Sequence, residues 1–155
     1  MRTSFLILVT LLACVAGANE PTQRPVSVDL GPKAYRDGDV VQITSVSSTS
    51  PQLEQGDTVT VKGRVRLDSV AGARLCLYLT QTKGDGIEEA DETQEVRVNR
   101  GLSDFELTAT IKHQGVLHLT LYRTDNGKPF GGVYFGTAEQ IESLSDACVR
   151  HYLHD

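Results

Sequence analysis

Tryptophan is absent from this 155-residue chain, methionine occurs once and cysteine only three times. Each scarcity removes a class of chemistry. Without tryptophan, the chain lacks the broadest flat ring with which a protein can stack on a sugar. Its cysteines are isolated, with no C-x-x-C and no nearby H-x-x-x-H, so neither zinc spacing nor a dithiol redox pair is present. G-x-S-x-G, H-E-x-x-H and a phosphate-cradling glycine loop are missing as well. Basic residues are outnumbered, 15 against 20 acidic, for a net charge of −5. That balance attracts neither nucleic acid nor an anionic membrane surface. Beyond the first residues no apolar run approaches membrane-spanning length, and the chain carries no repeat and no low-complexity tract.

The apolar run that does occur opens the chain: "MRTSFLILVTLLACVAGANE". Arg2 precedes an apolar core over residues 5–15, and Ala16-Gly17-Ala18 supplies the small residues that signal peptidase requires. Residues 1–18 therefore read as a signal peptide, cleaved after Ala18, and the product as secreted or periplasmic. The alternative takes Leu11-Leu12-Ala13-Cys14 as a lipobox, with the product anchored as a lipoprotein through Cys14. Residues 19–25, "NEPTQRP", form an extended leader. Residues 26–155 suit one domain with one core.

What is plentiful is alternation. In "TVTVKGRVRLD", Val59, Val61, Val65 and Leu67 share one face, while Thr60, Lys62, Arg64 and Arg66 share the other. Gly63 falls in phase with the apolar side, which predicts a bulge or a close neighbouring side chain there. Phe105, Leu107, Ala109 and Ile111 repeat the period of two, as do Leu117, Leu119 and Leu121. Strands are expected over residues 26–30, 40–46, 58–68, 73–82, 93–98, 105–112, 116–123 and 132–135. "KHQGV" and "RTDNGKPFGG" are turn chemistry between them. One wet and one dry side per strand suits antiparallel sheets packed face to face.

The tail changes period. Thr137 followed by Gln140 is a capping box, and Ile141, Leu144, Cys148 and Tyr152 form an apolar stripe, predicting a helix over about 138–151 packed on one sheet. Within "RLCLYLTQ", Leu75, Leu77 and Leu79 share a face, which leaves Cys76 and Tyr78 on the side that should be wet. A helix laid across that side would remove the anomaly, and in an exported chain Cys76 and Cys148 would then pair as a disulfide. Two buried free thiols are the alternative.

Candidate chemistry is sparse. The loop "KGDGIEEADETQE" gathers Asp85, Glu88, Glu89, Asp91 and Glu92, hard oxygen ligands that could hold calcium, although the EF-hand order is absent and a solvated loop is the plainer reading. Tyr122, Phe130 and Tyr134 flank the "NGKPFGG" turn as a candidate binding edge, or else cap one end of the core. His118 projects from a strand beside Tyr122 with no sequence-adjacent catalytic partner. No catalytic residue and no obligatory cofactor emerges.

The stretch "DGDVVQITSVSSTSPQLEQGDTVTVKGRVRLDSVAGARLCLYLT", together with "GGVYFGT", resembles a group of small secreted bacterial domains of planctomycete type. The resemblance spans residues 37–80 and 131–137. It implies an immunoglobulin-like sandwich outside the cytoplasm and carries over no catalytic or ligand residue. The expectation is thus an all-β, antiparallel, immunoglobulin-like β-sandwich with a short C-terminal helix. Its function would be that of a secreted, non-enzymatic binding module for a protein or an extracellular polymer. A calcium-binding adhesion module using residues 85–95 is the alternative, and a small hydrolase with a site assembled across strands is the third.

Overall fold

Alternation at period two produces antiparallel strands wherever it was strongest. A computed structural model describes residues 22–87 and 90–144. Its strands are β1 (Arg24–Pro25), β2 (Asp29–Ala34), β3 (Val40–Ser48), β4 (Thr58–Lys83), β5 (Glu95–Thr110), β6 (Gln114–Arg123) and β7 (Pro129–Gly136). They hydrogen-bond in the order β1-β3-β4-β6-β7-β2, with β5 paired to β4. All these pairings are antiparallel. A 3-10 turn (Glu92–Gln94) and the helix α1 (Ala138–Glu142) complete the described elements. The fold is all-β, and its sheet is curled.

The curl follows from length. Straight, the 26 residues of β4 would span about 85 Å, roughly twice the width of a domain this size. The strand bends instead. Its first part pairs with β3 and β5 up to Leu67↔Gly101, and pairing with β5 resumes at Gly72↔Asn99 after a register shift. Its second part then pairs with β5 and β6. The expected strands over 58–68 and 73–82 are therefore one strand, as are those over 93–98 and 105–112.

Two devices hold the bend. Asp39 is buried, and its carboxylate accepts from the Asp68 amide at 2.7 Å, the Ser69 amide at 2.9 Å and the Ser69 hydroxyl at 2.5 Å. Backbone groups freed by the lost ladder are thereby satisfied. On β5, Gly101 takes φ +106°, where a side chain would strain the backbone. Across that glycine the inward set switches from Val96 and Val98 to Phe105, Leu107 and Ala109.

Both parts of β4 contribute to one core. Val59, Val61, Val65 and Leu67 pack there with Leu75, Leu77, Leu119, Leu121, Val133 and Phe135. Gly63 interrupts the apolar row because nothing larger fits: a Cβ would lie 2.1 Å from the Gln42 carbonyl oxygen and 2.8 Å from the Phe105 ring. The β3–β4 register also shifts beside it, between Ile43 and Ser45. Phase alone had marked this position.

Thr137 caps α1 through the expected reciprocal box with Gln140. Within the described residues the helix closes at Ser143, whose amide donates to the Glu139 and Ile141 carbonyls. Residues 145–151 of the expected helix, the signal peptide with Cys14, and Cys148 lie outside the described residues. No helix among the described residues is long and apolar enough to cross a membrane.

Candidate functional site

The side of the sheet opposite the core carries most of the reactive side chains. Register places Arg74 beside Tyr122, Cys76 between Glu95 and Thr120, and Tyr78 beside His118, which in turn neighbours Tyr134. Their groups engage one another. Tyr78 donates its hydroxyl to Glu95 Oε1 at 2.5 Å, and Arg74 Nη1 donates to Glu95 Oε2 at 2.8 Å. Arg74 also lies over the Tyr122 ring, 5.7 Å from its centroid. His118 Nδ1 and Thr120 Oγ1 are 2.7 Å apart, and the His118 ring stands 5.1 Å from Tyr134 and 6.3 Å from Tyr78. The Tyr134 and Thr80 hydroxyls are 3.0 Å apart.

Electrostatics follow from this wiring. The Tyr78 hydroxyl, with Arg74 beyond it, holds the Glu95 carboxyl below its ordinary value, outweighing desolvation. Burial pushes the Cys76 thiol up to about 12, and burial with the Glu95 hydrogen bond raises Tyr78 further. Cys76 is consequently a buried thiol with negligible nucleophilicity at neutral pH. His118 is 4% exposed and Thr120 is wholly buried. The cluster is a bonded lattice of side chains with its polar groups turned on each other.

An open cleft lies beside α1. It encloses about 820 Å³ between the 51–55 loop, the start of β6 and α1 itself. Leu53 and Val116 provide apolar floor, while Gln52, Gln55, Gln114 and Gln140 bring amides to its lining and Glu54 and Glu139 bring acids. No aromatic residue is among the described lining. Asp57 shapes the loop, accepting from the Ser50 hydroxyl at 2.5 Å, the Glu54 amide at 2.8 Å and the Thr49 hydroxyl at 2.8 Å. Leu53 takes a left-handed φ of +53°, which costs about 1 kcal/mol for a branched residue. It is held there by burial and by Gln140 Nε2, which donates to its carbonyl at 3.0 Å. The same Gln140 accepts the Thr137 amide at 2.9 Å, so one side chain ties the helix start to the loop. Sequence reading found the capping box but not the cleft, because the second bond of Gln140 joins residues 87 apart.

The remaining candidates are placed as follows. In the acidic loop, Asp85 accepts from the Ile87 amide at 2.9 Å and lies 4.0 Å from His113 Nε2. The Ile87 amide leads in holding the Asp85 carboxyl below its ordinary value. Asp91 caps the 3-10 turn and accepts from Thr93, and Glu92 sits exposed in that turn. Glu88 and Glu89 lie outside the described residues. Among the described residues no group of three or more His, Cys, Asp or Glu side chains could hold a metal ion. Tyr122 is partly exposed, but Phe130 is buried in the main core and Tyr134 in a smaller cluster on the other side of the sheet. The three therefore do not present a common open edge, because a register shift between Leu121 and Tyr122 turns Phe130 inward. Cys76 is buried and makes no disulfide within the described residues, among which it is the lone cysteine.

No protein-family model, no curated protein and no solved structure matches the chain.

Proposed function

We propose that the chain is an exported interaction module, an immunoglobulin-like β-sandwich of the kind found in small secreted bacterial domains. In this reading it binds an extended polypeptide in the cleft beside α1 without turning it over. Export rests on the leader sequence, with release after Ala18 favoured over anchoring through Cys14.

The observation that carries the binding reading is the strained Leu53 pinned at the base of an amide-rich cleft. Backbone held in a costly conformation, and over-determined by its surroundings, concentrates at ligand sites. Glutamine amides donate and accept at once, which suits the alternating carbonyls and amides of an extended chain. Among the described residues the lining has no aromatic ring on which a pyranose could stack. Glu54 and Glu139 favour neutral or basic ligands. Of the groups able to do chemistry elsewhere, Glu95 and His118 are hydrogen-bonded to neighbouring side chains and Cys76 is buried.

Peptides selected on the protein from a random display library, then titrated into isotope-labelled protein, test this. Amide shifts should concentrate at residues 52–55, 114–116 and 137–143, and Glu139→Lys should weaken a basic peptide at least about threefold by loss of one exposed attraction. Shifts confined to other surfaces would contradict the reading. So would envelope oligosaccharides that move the same amides more tightly than any peptide.

A further inference from the structure

Ser48 ends β3 with a buried hydroxyl that nothing satisfies. It is 1% exposed, and its Oγ is the only buried side-chain oxygen or nitrogen among the described residues without a hydrogen-bond partner. An unpaired polar atom shut off from water is costly, and native folds retain few of them. Register gives its direction. Residues directly opposite in an antiparallel pair share a face, so Ser48 stands on one face with Arg24 of β1 and Val59 of β4. That is the inner face, because Val59 belongs to the core, as does Val46 two residues before Ser48.

Ser48, Arg24 and Val26 line a cavity of about 590 Å³, and no acidic residue is among its described lining. The donors available to an occupant follow from the hydrogen bonds around it. Thr49 and Ser50 also line the cavity, but they give their hydroxyl hydrogens to Asp57, at 2.8 and 2.5 Å. Ser48 and Thr22 are left, together with the exposed guanidinium of Arg24, which has no partner among the described residues.

We propose that this cavity binds a small organic monocarboxylate. Its carboxylate accepts from the Ser48 hydroxyl and the Arg24 guanidinium, and its apolar body lies on Pro25, Val26 and Pro51. A carboxylate has no hydrogen to offer and about four lone-pair sites to fill, which suits a wall whose free groups all donate. One guanidinium matches one negative charge. A phosphate dianion would bring a second charge beside the Asp57 carboxylate that Thr49 and Ser50 hold. The bond from Ser48 counts for most, since it is made out of reach of water, whereas the exposed Arg24 is screened. Of the described lining, the site shares Pro51 alone with the cleft beside α1, and it does not rest on the peptide-binding reading.

Sodium isovalerate and sodium benzoate, with isovaleramide and inorganic phosphate for comparison, are titrated into the isotope-labelled full chain. At least one of the two carboxylates should saturably shift the amides of residues 22–26 and 46–50. Ser48→Ala should weaken it about tenfold or more, while the midpoint of chemical denaturation stays level or rises because an unpaired hydroxyl is gone. Arg24→Gln should weaken it about threefold. A lower midpoint with unchanged affinity in Ser48→Ala would make that hydroxyl structural and overturn the proposal. So would isovaleramide binding as tightly as isovalerate, phosphate binding more tightly than either carboxylate, or no saturable shift from either carboxylate up to tens of millimolar.

Discussion

Glu95 ties together two side chains of the outer face, since one carboxylate receives both the Tyr78 hydroxyl and the Arg74 guanidinium. Glu95→Gln keeps the shape and removes the charge. Both ion-pair partners are about one-third exposed, so solvent screening limits the loss to about 1–2 kcal/mol in chemical denaturation at neutral pH. The sign with pH follows from the depressed carboxyl. Its stabilisation is full above the ordinary value of 4.5 and disappears as pH falls through the lower folded value, so the gap between parent and variant should close in acid. A gap that persists unchanged well below that value would show that the charge is not what matters. Little of this pairing was legible in the sequence. Cys76 and Tyr78 were visibly out of phase, but that Glu95 stands beside them depends on a register shared by strands 19 residues apart in sequence. Gly63 was legible, because a missing side chain within an apolar row needs only the period of two.

At the scale of elements, the bend in β4 and β5 decides the architecture. The apolar alternation lapses over residues 68–71 and again around Gly101, so each long strand reads as two short ones. What joins the halves is polar and non-local. Asp39 reaches 29 residues along the chain to hold the amide of Asp68. Asp39→Ala would strand two backbone amides and a hydroxyl in a half-buried corner. The expected cost is about 2–3 kcal/mol, read as a lower midpoint in denaturant with unchanged slope. A loss under about 0.5 kcal/mol, the level of an ordinary surface change, would mean the corner holds without it. The helix start, by contrast, was fully readable: a capping box lies within four consecutive residues, and Thr137 and Gln140 use it as the pattern foretold.

For the whole molecule, the central claim is that one part of the sheet is dry on both sides, with leucines facing one interior and Cys76 the other. In the binding reading proposed above, the surface for a partner lies elsewhere, in the cleft whose rim is loop and helix. The acidic surface charge then discourages indiscriminate contact with anionic partners. Thiol labelling tests the claim most directly. In a variant carrying Cys14→Ser and Cys148→Ser, Cys76 is the one thiol left to label, and burial holds it up to about 12. At about pH 8 it should react with a thiol reagent roughly 1000-fold or more slowly than in denaturant, at a rate set by opening of the fold. Labelling within about tenfold of a free cysteine would place Cys76 on an accessible surface and contradict the account.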